Sequence, residues 1–258
     1  MPEANIARHT EGMPKPAARV PMTADEVLRE LRALGDPRWR EGMAHFGIST
    51  EVALGVSVPK LRALAKRAGR DHALAQALWQ SGIHEARALA AMVAEPAKVT
   101  RREMDRWAGD LASWDVCDAC CFELWVRTPH AHEKGVAWSA SKKEFVKRAA
   151  FALMAALAVH DKAASDAAFR RYLPIIRREA DERNFVKKAV NWALRQIGKR
   201  NRKLNAAAIA CAERIRADGT RAGRWTASDA LRELRSEPVQ RRLGSSGSPQ
   251  RRKGAKDR

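Results

Sequence analysis

The chain has 258 residues, long enough to bury a sizeable core as one large domain or two small ones. Its formal charge is +19 with a pI near 10.6, and residues 23–239 alone still carry +12. A folded body that basic repels itself unless a polyanion relieves it, which makes nucleic acid the leading partner, and with no signal-peptide core or membrane-length apolar stretch, secretion and membrane insertion are excluded and a cytoplasmic location is expected.

In chain order, residues 1–22 are polar and hold Pro2, Pro14, Pro16 and Pro21, the composition of a loose leader. Helical periods then recur over Val27 to Leu34, Val58 to Ala68, Ala73 to Trp79, Glu85 to Ala94, Thr100 to Leu111, Trp114 to Arg127 and Phe145 to Val159. They continue over Ala164 to Glu179, Phe185 to Lys199, Asn205 to Ala217 and Ala227 to Leu234. Only Gly47 to Val58 hints at extended backbone. From Ser236 to the end, a Gly/Ser-rich stretch followed by Arg251, Arg252 and Lys253 has the composition of a flexible basic tail. The pattern predicts an all-α protein.

A repeat is visible in that pattern. Phe145-Val146-Lys147-Arg148-Ala149 returns forty residues later as Phe185-Val186-Lys187-Lys188-Ala189, each copy opening a helix. Glu85-Ala86-Arg87-Ala88-Leu89 is a degenerate earlier member. A period near forty with two helices per unit is the signature of a HEAT-like, armadillo-type solenoid, in which each helix pair buries its face on its neighbours. One domain over residues 23–235 is therefore expected, curved, with a concave basic face.

The helix from Phe185 carries the clearest functional signal. Val186, Val190, Ala193 and Ile197 share one stripe, the core face, while Lys188, Trp192, Arg195 and Lys199 fall opposite. Cations on an outer face are ordinary. A tryptophan among them forgoes about 2 to 3 kcal/mol of burial unless something covers it, either a neighbouring repeat or a nucleic acid. In the preceding repeat, Lys147 and Arg148 sit near a helix start, where they would meet phosphate or form ion pairs with Asp115 or Asp118. Trp114 and Asp118 are four apart behind Ser113, a candidate N-cap, which places an aromatic ring beside a carboxylate. A carboxylate in a basic cleft weakens phosphate binding, so it needs another reason to be there, and catalysis supplies one.

Trp114-Asp115-Val116-Cys117-Asp118, Lys147-Arg148 and Asn191-Trp192-Ala193-Leu194-Arg195, in this order and spacing, resemble the AlkD-like DNA alkylation repair family, the HEAT-like-repeat DNA glycosylases. The likeness runs from about Thr23 to Leu234. It implies a DNA N-glycosylase that excises cationic N3- or N7-alkylated purines from double-stranded DNA while the damaged base stays stacked. Carried onto this chain, Trp114 and Trp192 would wall the lesion's deoxyribose, Asp118 would be the catalytic carboxylate and Arg148 a phosphate clamp. Lys147, Lys188, Arg195 and Lys199 would add phosphate contacts, the protein acting as a monomer. An alkylated purine leaves neutral without a general acid, so a carboxylate and two indoles suffice, and no metal or cofactor is expected. Lys147 stands where the family often has a second arginine, and the chain has a single tyrosine, Tyr172.

Two other functions use the same architecture: a HEAT-like clamp that binds duplex or branched DNA without chemistry, and a protein-binding scaffold. Cys117, Cys120, Cys121, His130 and His132 fit no standard zinc spacing, and Cys117 and Cys121, helical neighbours beside Val116 and Leu124, are better read as small core thiols. His45, His72, His84 and His160 have no partner that the sequence reveals.

Overall fold

The computed structural model describes residues 21–180 and 183–245, and every regular element among them is helical. The expected leader, apart from Pro21 and Met22, and the last thirteen residues of the expected tail lie outside the described residues. The α-helices are α1 (Ala24–Leu34), α2 (Pro37–Met43), α3 (Val58–Ala68), α4 (His72–Gln80), α5 (His84–Val93), α6 (Arg101–Gly109), α7 (Trp114–Ala119) and α8 (Ala131–Ser139). They continue as α9 (Glu144–His160), α10 (Asp166–Arg170), α11 (Tyr172–Arg178), α12 (Asn184–Gly198), α13 (Arg202–Ala217), α14 (Arg221–Leu234) and α15 (Glu237–Ser245). No helix among the described residues is long and apolar enough to cross a membrane.

Local chemistry sets many of the starts. Thr23 forms a capping box with Glu26, and Asp71, Thr100, Asn201 and Thr220 each accept an amide N–H of the first turn that follows. The helices then stack in two layers, as the repeat predicts. α5, α7, α9, α12 and α14 lie side by side in one layer, while α4, α8, α11 and α13 pack behind them. α9 is the spine. Every residue from Lys147 to Ala158 is buried, and six of them are alanines that let α8 and α12 approach closely. A single apolar cluster runs from Val27 to Leu234.

Side chains tie successive outer helices together. Trp79 of α4 stacks on Trp107 of α6 at 4.1 Å and 2°. Lys134 and Trp138 of α8 both donate to Asp105 of α6, and His132 of α8 meets the Tyr172 hydroxyl of α11 at 2.6 Å.

The expected elements need four corrections. The period from Trp114 to Arg127 is not one helix: a π turn at Cys120–Leu124 follows α7, then a 3-10 turn at Trp125–Arg127. The period from Ala164 to Glu179 is split at Arg171, because Pro174 has no N–H to offer the turn before it. The tail expected from Ser236 starts instead with a packed helix, α15, which buries Val239 and Leu243 one turn apart and sends the Gln240 amide to Asn205 and Leu234. The hint of extended backbone at Gly47 to Val58 gives no strand, since the amides of Leu54, Gly55 and Val56 all donate to the Glu85 carboxylate.

Helices approach closely at Gly198, where an added Cβ would fall 2.6 Å from Leu234 Cδ2 and 2.9 Å from Ala208 Cβ. Gly198→Ala should cost about 1 to 3 kcal/mol through overpacking, read as a lower urea midpoint with unchanged slope.

Candidate functional site

The helices of the first layer turn one edge toward a cavity of about 460 Å³. Asp118 and Ala119 of α7, His84 and Glu85 of α5, Phe122 of the π turn, and Trp192 of α12 line it together, with His160 at the end of α9. A continuous α-helix through this stretch would carry Phe122 directly above Asp118. The π turn admits one extra residue per turn and still leaves Phe122 and Glu123 on the cavity wall. There the Phe122 ring lies flat against the Trp192 indole, with centroids 4.8 Å apart and planes 10° from parallel, and His160 meets it edge-on at 5.7 Å. Trp192 is half-buried. One face of its ring is thus covered by Phe122, and the side chain also borders the cavity.

Asp118 is held by a bidentate ion pair. Arg148 Nη2 donates to both carboxylate oxygens at 2.9 and 2.8 Å, and Nε adds a contact of 3.2 Å. The remaining Arg148 nitrogen, Nη1, donates to the Phe185 carbonyl at 2.8 Å, so one buried guanidinium joins α7, α9 and α12. Burial pushes the Asp118 carboxyl up to about 6, with Asp115 adding to it, although Arg148 pulls the other way. Asp115 differs. Burial would raise it too, but the His84 imidazole at 2.8 Å, the Ser113 hydroxyl and the Val116 amide hold it below the usual carboxylate range. Two acids three residues apart are therefore shifted in opposite directions from the usual carboxylate range.

Of the residues singled out from sequence, Asp118 and Trp192 meet on one cavity. Trp114 stands one turn before Asp118 on α7, and its indole N–H donates to the Phe46 carbonyl at 3.0 Å. It is not among the side chains that line the cavity. For Lys147 and Arg148, the ion-pair alternative describes the structure: both are buried, Arg148 on Asp118 and Lys147 on Glu179 at 2.8 Å. Nor are free helix-start amides beside them, because α9 begins at Glu144 and the Lys147 amide already bonds to Lys143. Arg195 pairs with Glu233 and Asp229, and Lys199 with Glu233 at 2.5 Å. Lys188 is exposed and makes no ion pair among the described residues.

Ser113 occupies the N-cap position of α7 without capping it through its side chain. The cysteines Cys117, Cys120, Cys121 and Cys211 are all free and buried, and no cluster of three metal-binding side chains occurs among the described residues.

Sequence reasoning missed His84, Glu85, Phe122 and His160. The first two act through partners about thirty residues away in the next or preceding repeat, which no local spacing reveals. Phe122 left a signal: it lies four residues after Asp118, the spacing that puts side chains on one helical face.

A family model described as DNA alkylation repair enzyme matches residues 27–234. Among solved structures, the chain is similar to a protein described as one of a new family related to the HEAT-like repeat DNA glycosylases with affinity for branched DNA structures. The two share 22% sequence identity with a TM-score of 0.67, over 74% of this chain and 83% of that one. No curated protein matches the chain.

Removing Arg148 leaves the Asp118 carboxylate and the Phe185 carbonyl without their donor. Arg148→Ala should therefore lose about 3 to 5 kcal/mol of stability in urea unfolding. Arg148→Lys should recover only part of it, because one ammonium does not reproduce the fork that spans both groups.

Proposed function

Because the chain belongs to the DNA alkylation repair enzyme family, we propose that it is a DNA N-glycosylase for cationic N3- and N7-alkylated purines in duplex DNA. The observation that carries this reading is the sharing of one cavity by Asp118, braced by Arg148, and the Trp192 ring, backed by Phe122. An alkylated purine carries a positive charge before the reaction. When its bond to C1′ breaks, the electron pair goes to the base nitrogen and the base departs neutral. Positive charge moves to the sugar, which becomes oxocarbenium-like. Asp118 in its ionised form stabilises that charge and orients the water whose oxygen bonds to C1′, the surplus proton passing to the carboxylate or to solvent. The indole face of Trp192 adds cation–π attraction to the same centre. The products are a free alkylpurine and an abasic site.

Arg148 has a different role from the phosphate clamp that the resemblance implies. With its donors committed to Asp118 and Phe185, it orients the carboxylate and favours its charged form. Lys188, the exposed cation one turn before Trp192 on α12, is the better candidate for phosphate. Trp114 does not line the cavity, so in this reading Trp192 alone meets the sugar and Trp114 anchors the Phe46 carbonyl instead. In this reading residues 23–235 act as a single unit, a monomer whose cavity side faces the DNA, and the base is not flipped.

A second reading, binding of branched DNA without chemistry, draws on the affinity described for the similar solved structure. The two separate cleanly. Purified full-length protein should release N7-methylguanine or N3-methyladenine from methylated duplex, and Asp118→Asn should slow release by about a hundredfold or more. If wild-type protein releases neither base while binding a four-way junction more tightly than duplex, the second reading replaces the first.

The protonation state of Asp118 gives a further outcome. Only the carboxylate form stabilises a cation, so the single-turnover release rate should rise through pH 6, where Asp118 ionises, and level off by about pH 7. A flat profile across that range, after correction for spontaneous depurination, would remove Asp118 from the chemical step.

A further inference from the structure

α2 buries none of its residues. Trp39, Met43 and the following Phe46 nonetheless recur at the i, i+4, i+7 spacing of a helical apolar stripe. The body of the protein leaves the two aromatic members uncovered, Trp39 at 62% exposure and Phe46 at 64%. Arg38 and Arg40, on either side of Trp39, are also exposed, and neither makes an ion pair among the described residues. Met43, between the two rings, lines the cavity that holds Asp118 and Trp192.

This stripe is fixed in place. The Asp36 carboxylate caps α2 at 2.9 Å from the Arg38 amide, and the Asp36 amide donates to Leu54. The 54–56 loop beneath is held by Glu85, a buried carboxylate on the cavity wall that accepts three amides at 2.8, 2.7 and 3.2 Å. Gly55 makes the contact close: its φ is 81°, and a Cβ there would fall 2.1 Å from the Asp36 carbonyl oxygen. At the other end Trp114 grips the Phe46 carbonyl at 3.0 Å. The backbone that carries the rings is therefore already ordered before a ligand arrives.

We propose that the Trp39–Met43–Phe46 stripe is a stacking platform for an unpaired base of DNA at the mouth of the Asp118 cavity, with Arg38 and Arg40 on the flanking phosphates. A π face between unpaired cations suits a base between phosphates, and every base offers such a face. An apolar protein partner would leave both arginines without an anion. The inference rests on the DNA reading above and is independent of whether the protein cleaves a glycosidic bond.

The test is fluorescence anisotropy of the full-length protein with a dye-labelled duplex carrying one central unpaired adenine, and with its fully paired counterpart. Wild type should prefer the bulged duplex. Trp39→Ala should weaken that complex about tenfold and the paired one by less than about twofold, and Trp39→Phe should keep most of the preference. Arg38→Ala and Arg40→Ala should weaken both complexes alike and flatten their salt dependence. Trp39 is exposed, so these variants should keep the wild-type urea midpoint.

Equal binding of both duplexes by wild type and Trp39→Ala would overturn the platform and leave the DNA reading standing. Failure of wild type to bind either duplex at low salt would overturn both. A wild-type dimer that Trp39→Ala converts to monomer would reassign the stripe to self-association.

Discussion

The contact between Asp118 and Arg148 organises the site on three sides at once. It fixes the carboxylate on α7, uses the first turns of α9 as its base, and through the Phe185 carbonyl reaches the start of α12, the helix that carries Trp192. A buried ion pair of this kind adds little net stability over apolar packing, since both groups were taken out of water to make it. What it supplies is position. A carboxylate that Arg148 holds by both oxygens, with Arg148 itself tied to the Phe185 carbonyl, cannot swing away from the cavity, and its desolvation keeps the charge strong toward anything cationic that enters.

The same logic extends along the first layer. His84 with Asp115, Arg148 with Asp118, Lys147 with Glu179, and Arg195 with Asp229 and Glu233 each join one repeat to the next. These pairs use up most of the cations that a helical wheel assigns to a DNA-facing surface. The charge left over for a polyanion lies on exposed side chains such as Lys188, Arg38 and Arg40. A high net charge and a basic cavity are therefore separate properties, and here the cavity is lined by the carboxylates Asp118, Asp115, Glu85 and Glu123 as well as by Arg62 and Arg127. A surface that is uniformly basic would bind any phosphate chain. One with an ionised acid at its centre favours a ligand that carries a positive charge of its own.

Much of this was legible in the sequence, and the rest was hidden for identifiable reasons. The forty-residue echo of Phe145 to Ala149 at Phe185 to Ala189 predicted stacked helix pairs because each copy has an apolar stripe that one helix cannot bury alone. Trp192 stood out because an indole among lysines and arginines needs a cover, and the cover on one face is Phe122. The interruption at Cys120–Leu124 was not legible, because five residues are too few for one extra residue per turn to show in the apolar pattern. The helix at Glu237–Ser245 was hidden by its glycine, serine and arginine content, although Val239 and Leu243 carry the spacing that packs it. The choice between phosphate and carboxylate for Arg148 could not be made from spacing, because both partners suit a guanidinium equally and only the fold brings Asp118 within reach.

The central claim is electrostatic: an ionised Asp118 faces the point where a sugar becomes cationic. Its most direct test is the affinity of the protein for a duplex in which one nucleotide is replaced by a pyrrolidine, whose protonated ring nitrogen mimics that charge, against the same duplex with an uncharged tetrahydrofuran at that position. The account predicts that the cationic analogue binds more tightly by about a hundredfold and that Asp118→Asn removes most of the difference. Equal affinity for the two analogues in the wild-type protein would contradict it.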